Sequence, residues 1–241
     1  MFPIFKKELN GYLNSLIAYL VIVLFLVFTG LVLWVFPDSN ILDYGFAEMN
    51  SFFSLTPFIL LMLVPAITMR SFSEEFKTGT IEFLLTKPLT TFQVFGGKFL
   101  AAWLLIILAI LPTVVYYFSI SSLGNPEGNI DTGSVIGSYF GLFLLAGTFT
   151  AVGIFASSLS QNQVVAFISG AFLCYFLFDG IHQLSSLFRG VTQYFTDYLS
   201  IYFHYESLSR GVLDSRNIIY LVSLIVLMGA LTIFVLHKKR R

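Results

Sequence analysis

Residues that could carry out catalysis are few in this chain and fall into no catalytic pattern. The three histidines, His182, His204 and His237, are scattered, and no H-E-x-x-H zinc motif is present. Gly97–Lys98 would end a phosphate-binding loop, but Phe99 replaces the required Ser or Thr, and no glycine stands five positions before Gly97. We therefore predict a chain that is not an enzyme and holds no cofactor, so any ATP must be bound by another chain.

Adjacent carboxylates, Glu74 and Glu75, are the other candidate for chemistry. Paired glutamates occur in membrane proteases that process prenylated chain ends. That pattern requires an arginine four residues after the pair, where this chain has Gly79, and no companion histidine motif follows. An intramembrane hydrolase is therefore the disfavoured hypothesis.

The composition indicates a helical membrane protein. Of the 241 residues, 57% are hydrophobic and 11% are charged, whereas a soluble domain has about 25% charged residues. Charge is too scarce to cover a surface that faces water. A single cysteine, Cys174, excludes an intrachain disulfide, and it lies in an apolar run as a small buried hydrophobe would.

Six apolar stretches are long enough to cross a bilayer, which takes about 20 helical residues. The polar segment Ser157–Gln163 separates the fourth from the fifth and predicts a tight helical hairpin. The predicted spans are Leu13–Phe36, Phe52–Met69, Phe99–Ile120, Val135–Ser157, Val164–Phe178 (with an extension to Leu184 left open) and Ile218–Leu236.

The first ten residues, Met1–Asn10, predict an amphipathic helix at the membrane surface. Apolar residues recur there at helical spacing, and Lys7, Glu8 and Asn10 are expected to project elsewhere. The alternative is a frayed, charged start of the first span. The residues of the predicted apolar face are Phe2, Phe5, Leu9 and Leu13.

The connection 179–216 is too long and too apolar for a plain loop. Tyr194, Tyr198 and Tyr202 repeat every four residues, which would stack them along one face of a short helix. We predict one or two short helices that dip into the outer leaflet or lie on it, and ordinary interfacial anchoring is the alternative. Asp179 and His182 lie on neighbouring turns near the outer end of the fifth span. Together with Arg210 they are candidates for polar groups that face the external side or a transport path, and simple solvation is the alternative.

Lysine and arginine set the orientation. With the N-terminus in the cytoplasm, ten of the thirteen basic residues lie in the inside segments, and only Arg189, Arg210 and Arg216 lie outside. We therefore predict a multi-pass protein of the inner (cytoplasmic) membrane with both termini in the cytoplasm. The basic C-terminus is read as an anchor at the anionic inner leaflet and not as a nucleic-acid site.

Small residues crowd the fourth span. Gly137 and Gly141 are four residues apart, a spacing that lets two helix backbones approach closely. Packing within the chain is one interpretation. A transport path or the seam of a dimer is the other.

The segment Glu74–Leu89, between the second and third spans, has the highest density of charge in the chain. Gly79 predicts a helix break, and Ile81, Leu84 and Leu85 then fall on one face of a short helix that ends at Pro88. So many apolar residues on the cytoplasmic side must cover something. It is either the membrane surface or a groove on a partner.

This segment resembles the coupling-helix signature of ABC-2 type transporter permeases. A second match, residues 204–214 followed by Asn217–Tyr220, is similar to the external segment before the sixth span in the bacterial branch of that family. The gliding-motility-associated ABC transporter permease is the closest subfamily. The residues of the first match are Glu75, Gly79, Thr80, Ile81, Glu82, Leu84, Leu85, Thr86, Pro88 and Leu89.

The resemblance implies an all-α, six-span permease domain over residues 1–241, with the coupling helix between spans two and three. It also implies a separate ABC ATPase subunit, a second copy or a related permease, and an accessory extracytoplasmic subunit. Glu75 and Glu82 would face basic groups of the ATPase, with Ile81, Leu84 and Leu85 as buried contacts. A membrane scaffold for an ATPase-driven motility or assembly machine, without transport, is the alternative function.

Overall fold

The structure is a computed structural model that describes residues 1–36, 40–41, 46–81 and 90–240. Within these ranges every regular element is a helix. Two of the long helical stretches contain an irregular turn, the 3₁₀ turn Leu111–Thr113 and the π-helical turn Phe176–Gly180. The helices are α1 Phe2–Leu13, α2 Leu16–Trp34, α3 Asn50–Thr68, α4 Arg70–Lys77, α5 Thr91–Ile110, α6 Val114–Leu123, α7 Thr132–Leu159, α8 Gln163–Tyr175, α9 Ile181–Ser185, α10 Val191–Tyr198, α11 Ile201–Ser209 and α12 Ser215–Arg240.

Five helical stretches of the described chain are long and apolar enough to cross a membrane. A sixth is counted if α1 and residues 18–34 of α2, which meet at 65°, are taken as one bent span. The predicted all-α membrane protein is confirmed. The five stretches are Asn50–Lys77, Thr91–Leu123, Thr132–Leu159, Gln163–Ser185 and Ser215–Lys239.

These helices extend beyond the predicted spans. The second continues to Lys77 instead of ending at Met69, and the third begins at Thr91 instead of Phe99. The fifth continues through the π-helical turn to Ser185. The difference has a physical cause, because hydropathy marks the part of a helix inside hydrocarbon while polar residues can prolong the helix beyond it.

Helix α7 is the centre of the bundle. Of its most apolar 18 residues, 78% are buried, against 22% for the most apolar 18 residues of each of the stretches Gln163–Ser185 and Ser215–Lys239. A Cβ on Gly137 would lie 2.6 Å from the Gly211 carbonyl, and a Cβ on Gly141 would lie 2.6 Å from Leu208 Cβ. The two glycines therefore allow α7 and α11 to approach closely, which confirms packing within the chain.

Different elements lie at the two ends of the bundle. At one end, which we call the terminal end, Lys239 Nζ donates to the Ser158 carbonyl (3.0 Å), and Thr91 Oγ1 lies 3.3 Å from His237 Nδ1. Helices α1 and α4 lie at this end, so both ends of the chain are on one side. The opposite side, the loop end, carries α9, α10 and α11.

Helix α1 packs on α5 through the face that carries Ile4, Glu8 and Tyr12, at i, i+4 and i+8, while Phe2 and Leu13 are exposed. Glu8 thus projects elsewhere than Phe2 and Leu13, as predicted. The sequence did not show that this second face points into the bundle. Residues four apart stack on one face of a helix, and α5 takes the Ile4 face.

Short helices before the last span are confirmed, but the three tyrosines do not share one helix. Tyr194 and Tyr198 lie on the exposed helix α10, and their rings are 6.2 Å apart. Ser200 then begins α11 by accepting a hydrogen bond from Phe203 N (3.1 Å). Tyr202 therefore lies on a second helix, because a capping serine interrupts the repeat.

Replacing Gly97 by Ala is expected to weaken the docking of α1. The added Cβ would lie 2.9 Å from Ile4 Cβ and 3.2 Å from the Met1 carbonyl, and overpacking of this kind costs about 1–3 kcal/mol. The expected result is a lower thermal unfolding midpoint of the purified protein in detergent. Gly11→Ala is the matched control, because nothing lies within 4 Å of a Cβ there. Equal midpoints for the two variants would contradict the close α1–α5 contact.

Candidate coupling site and loop-end cavity

A buried lysine joins three helices at the terminal end. Lys98 lies in the second turn of α5, its side chain is 1% exposed, and its Nζ donates to Glu75 Oε1 (2.8 Å), Glu8 Oε1 (3.0 Å) and the Ser71 carbonyl (2.7 Å). A lysine ammonium has three N–H donors, and here each has an acceptor. Lys98, Glu8 and Glu75 are called the ion cluster below.

The ion cluster is nearly closed to solvent. The side chains of Glu8 and Glu75 are 15% and 12% exposed. Lys7 Nζ lies 3.7 Å from both Oε1 atoms, but its side chain is 65% exposed, and such exposed pairs contribute about 0–1 kcal/mol. Glu75 Oε2 is buried and has no hydrogen-bond partner in the described part of the chain. Lys98 is therefore the principal counter-charge of both carboxylates.

The start of α4 is held by α7. Two backbone N–H groups of its first turn, those of Phe72 and Ser73, donate to Ser157 Oγ at 3.0 and 3.2 Å. Ser157 Oγ donates in turn to the Met69 carbonyl (2.9 Å). The first N–H groups of a helix need such acceptors. A residue of α7 supplies them here, which fixes the break between α3 and α4.

Beneath α4 lies an apolar cluster, called the terminal-end cluster. It contains residues from five helices and from the segment after α4, and Phe76 packs against it. Lys239 Nζ lies 3.7 Å from the centre of the Phe76 ring, so the last helix also contacts α4. The buried members are Ile4, Phe72, Ile81, Val94, Phe95, Ile154 and Leu236.

The predicted coupling residues fall into three groups. Gly79 has φ +70° and no atom within 4 Å of an added Cβ, so the predicted helix break is confirmed, and Thr80 begins the next helical turn. Glu75 is engaged by Lys98 and Ile81 is 9% exposed, so both have partners within the chain instead of facing outward as expected. Outside the described residues lie Glu82, Leu84, Leu85 and Pro88.

The three polar residues predicted for the external side line one cavity at the loop end. Asp179, His182 and Arg210 all face this space of about 490 Å³, called the loop-end cavity. Its walls come from the start of α3, the π-helical turn with α9, and α11. The remaining lining residues are Asn50, Ser54, Phe58, Phe178, Gln183, Tyr202, Tyr205, Glu206 and Ser209.

Most charges around the loop-end cavity are paired. His182 Nδ1 lies 2.6 Å from Asp197 Oδ1, and Arg210 Nη2 donates to the Glu206 carboxylate one helical turn away. Asp179 differs from the others, because it forms no ion pair with a described residue although it is only 9% exposed.

The carboxylates that line the cavity act on Tyr202, which is part of its aromatic wall. Burial raises the pKa of the Tyr202 hydroxyl, and the Glu206 and Asp179 carboxylates add to the rise by disfavouring phenolate. The Phe178 ring lies 5.6 Å from Phe58 and 5.7 Å from Tyr202, in edge-to-face contact with each. The cavity thus combines apolar walls with a negative potential.

Sequence reasoning missed Lys98 and Glu8, and one pattern could have revealed the lysine. Lys98 shares a helix face with the small residues Ala101 and Ala102, at i+3 and i+4, which indicates an inward position. His204 was missed as well. It is fully buried, with Nδ1 2.8 Å from Asn217 Oδ1 and Nε2 donating to the Tyr198 carbonyl at 2.9 Å, and it fixes α11 to α12.

No group of three or more metal-ligating side chains occurs in the described ranges. The conclusion about class comes from comparison with known proteins. The sequence model of the "ABC-2 family transporter protein" matches residues 37–234. The chain belongs to the ABC-2 transporter family.

Two curated ABC-2 relatives share part of this sequence. "Probable multidrug ABC transporter permease YbhR" of Escherichia coli K12 is 31% identical over 135 residues, which are 56% of this chain and 33% of the relative. Its counterpart in Escherichia coli O157:H7 matches to the same extent. The chain thus spans a third of the length of the relatives it matches.

Several apolar helices make this a multi-pass membrane protein. The ion cluster and the terminal-end cluster are then features of an ABC-2 membrane subunit, and both include α4.

Removing the Lys98 charge is expected to destabilise the protein strongly. In Lys98→Met, Glu8 and Glu75 lose the ammonium that both carboxylates contact, and breaking a buried ion pair costs about 3–5 kcal/mol. The measurement is the thermal midpoint in detergent. Lys7→Met is the matched control, because the Lys7 side chain is 65% exposed, and it should change little.

A triple variant separates charge from packing at this site. Lys98→Met combined with Glu8→Gln and Glu75→Gln leaves no unpaired charge in the ion cluster. It should recover part of the stability that Lys98→Met loses. If the triple variant is no more stable than Lys98→Met, the ion cluster is not held by charge.

Proposed function

We propose that this protein is the membrane-spanning permease subunit of an ABC transporter. It couples ATP hydrolysis on a separate ATPase subunit to export or translocation of a cargo. The observation that carries the proposal is the burial of Ile81, the first apolar residue after the Gly79 break, among residues of α1, α4, α5, α7 and α12. A force applied to the segment 82–89 is therefore transmitted first, through Ile81, to the terminal-end cluster.

Two connections carry the movement into the bundle. The ion cluster ties α4 to α5 and α1 through Lys98, and Ser157 ties the start of α4 to α7. Charged hydrogen bonds in a nearly closed site resist separation. Helix α4 is therefore coupled to the second, third and fourth spans and moves them together with the segment that follows it.

The ATPase contact in this proposal lies beyond Ile81. Leu84 and Leu85 are the apolar contacts with a groove on the ATPase, and Glu82 offers a carboxylate to its basic groups. Glu75 and Ile81 act within the permease, because each already has its partners in the same chain. This division revises the sequence-based assignment of both residues.

The orientation and the remaining partners complete the proposal. The terminal end faces the cytoplasm of a cell with an inner membrane, as the ten basic residues of the predicted inside segments favour. A second copy or a related permease pairs with this chain in the bilayer. An accessory extracytoplasmic subunit at the loop end is a further expectation from the resemblance.

The cargo decides between the transporter and its alternative. The Escherichia coli relatives are named as a probable multidrug permease, which supports small-molecule export. A role in a gliding-motility-associated complex remains a hypothesis that rests on the sequence resemblance of the chain to that subfamily. A scaffold for an ATPase-driven motility machine would show no cargo-stimulated ATP hydrolysis, whereas a transporter in vesicles would show it with movement of the cargo.

Leu84→Asp is expected to release the ATPase. A carboxylate in an apolar contact has no partner and cannot be desolvated cheaply, so co-purification with the ATPase should fall at least tenfold, a loss equivalent to about 1.4 kcal/mol. The measurement is the ratio of the two subunits after affinity purification through the permease. Leu213→Asp is the matched control, since Leu213 is 54% exposed at the loop end.

The control variant should retain the ATPase at the level of the unaltered protein, and both variants should reach the membrane in equal amounts. An unchanged subunit ratio for Leu84→Asp would remove this residue from the contact. No ATPase bound to the unaltered protein would remove the proposed function itself.

A further inference from the structure

We propose that the loop-end cavity binds an organic cation, a molecule with an ammonium group on an apolar body. The proposal rests on the function given above, since it names the class of cargo for the same permease. Five observations carry it: the charge balance of the cavity, the burial of one carboxylate, the π-helical turn that holds it, the aromatic wall and the volume.

Of the carboxylates among the described residues that line the cavity, one has no cationic partner. Arg210 is paired with Glu206, and the His182 ring contacts Asp197, which is not among the lining residues. Among the described residues that line the cavity, Asp179 is the remaining carboxylate, and Gln183 supplies only a neutral amide. A ligand that enters here meets an acceptor of positive charge.

Asp179 is poorly satisfied for a buried carboxylate. It is 9% exposed, and the Gln183 Nε2 contacts of 3.4 and 3.5 Å are long for hydrogen bonds, which cluster near 2.9 Å. Buried charge needs a partner or an ion. A ligand ammonium would provide the charge-assisted hydrogen bond that no described residue provides.

The position of Asp179 on a π-helical turn is a second, geometric indication. Regular α-helix ends at Tyr175 and resumes at Ile181, and the wider turn Phe176–Gly180 lies between them. Such turns inside α-helices occur frequently at functional sites, because they cost stability and change the direction of side chains. Here the turn carries both Phe178 and Asp179 into the cavity wall.

The aromatic wall suits the apolar body of such a ligand. The rings of Phe58 and Tyr202 are each in edge-to-face contact with the ring of Phe178. Aromatic faces attract cations within about 6 Å of the ring centre. The volume of about 490 Å³ is within the range of pockets that hold drug-sized molecules, about 300–1,000 Å³.

Two sources could supply this chemistry: a soluble amine from the cell, or the amine headgroup of a lipid such as phosphatidylethanolamine. Both present an ammonium group next to an apolar body. The experiment therefore uses membranes of two compositions, so that the source is identified separately from the chemistry.

The test is equilibrium binding to the full-length protein in phosphatidylglycerol nanodiscs, without ATP. The probe is dansylcadaverine, a fluorescent primary amine, and its N-acetylated form is the neutral counterpart. The amine should bind at least tenfold more tightly than the neutral form, and Asp179→Asn should abolish that difference, in accordance with the strength of hydrogen bonds to charged groups.

Glu127→Gln is the matched control for Asp179→Asn. Glu127 is an exposed carboxylate at the loop end that does not line the cavity, so its loss should leave the preference for the amine unchanged. Asp179→Glu is a second variant that keeps the charge and should retain part of the preference. Both Asp179 variants should match the unaltered protein in thermal midpoint, which separates binding from folding.

Phosphatidylethanolamine identifies the source. If it weakens the binding of dansylcadaverine to the unaltered protein, and not to Asp179→Asn, the amine chemistry is supported and the lipid is its source. If phosphatidylethanolamine has no effect, while dansylcadaverine still binds more tightly than its N-acetylated form, the amine chemistry is supported and its source is a soluble amine.

The proposal is overturned if the amine and its neutral form bind equally, or if Asp179→Asn keeps the preference. These results are independent of the ATPase, because binding is measured on the permease alone. Failure here with intact ATPase co-purification would leave the proposed function standing. If the amine binds but no ATPase co-purifies, the cavity proposal stands and the proposed function fails.

Discussion

The terminal end of this protein depends on one buried ammonium group. Lys98 Nζ is shared by two carboxylates and a backbone carbonyl from two other helices, and its side chain is 1% exposed. Without water to replace them, these partners must come from the chain. The positions of α1 and α4 relative to α5 follow from this requirement, and so does the close contact of α1 with Gly97.

The other organising element is α7, which acts through small and polar residues. Its glycines admit α11 at the loop end, and its Ser157 caps α4 at the terminal end. Since lipid gives helices no hydrophobic reason to associate, close packing and hydrogen bonds must supply the attraction. A central helix made of bulky residues would push these neighbours apart.

The sequence was sufficient for the fold class and for the helix break at Gly79, because hydropathy and backbone preference are local properties. It also identified Asp179, His182 and Arg210 as candidate polar residues on the external side, and in the structure they line one cavity.

Pairing between distant residues was beyond the sequence. Nothing local says that Glu8 turns inward, or that Glu75 meets Lys98 instead of a partner subunit, because each depends on which helix packs against it. The tyrosine repeat at 194–202 misled for the opposite reason. A regular spacing continued across the capping residue Ser200, and the cap decided where the helix begins.

The ion cluster also has an order of biosynthesis built into it. Glu8 precedes Lys98 by 90 residues and Glu75 precedes it by 23, so both carboxylates are translated before the group that neutralises them. Until α5 is made, Glu8 and Glu75 lack the ammonium group that both of them contact. The docking of α1 and α4 on α5 can therefore be completed only after translation has passed Lys98.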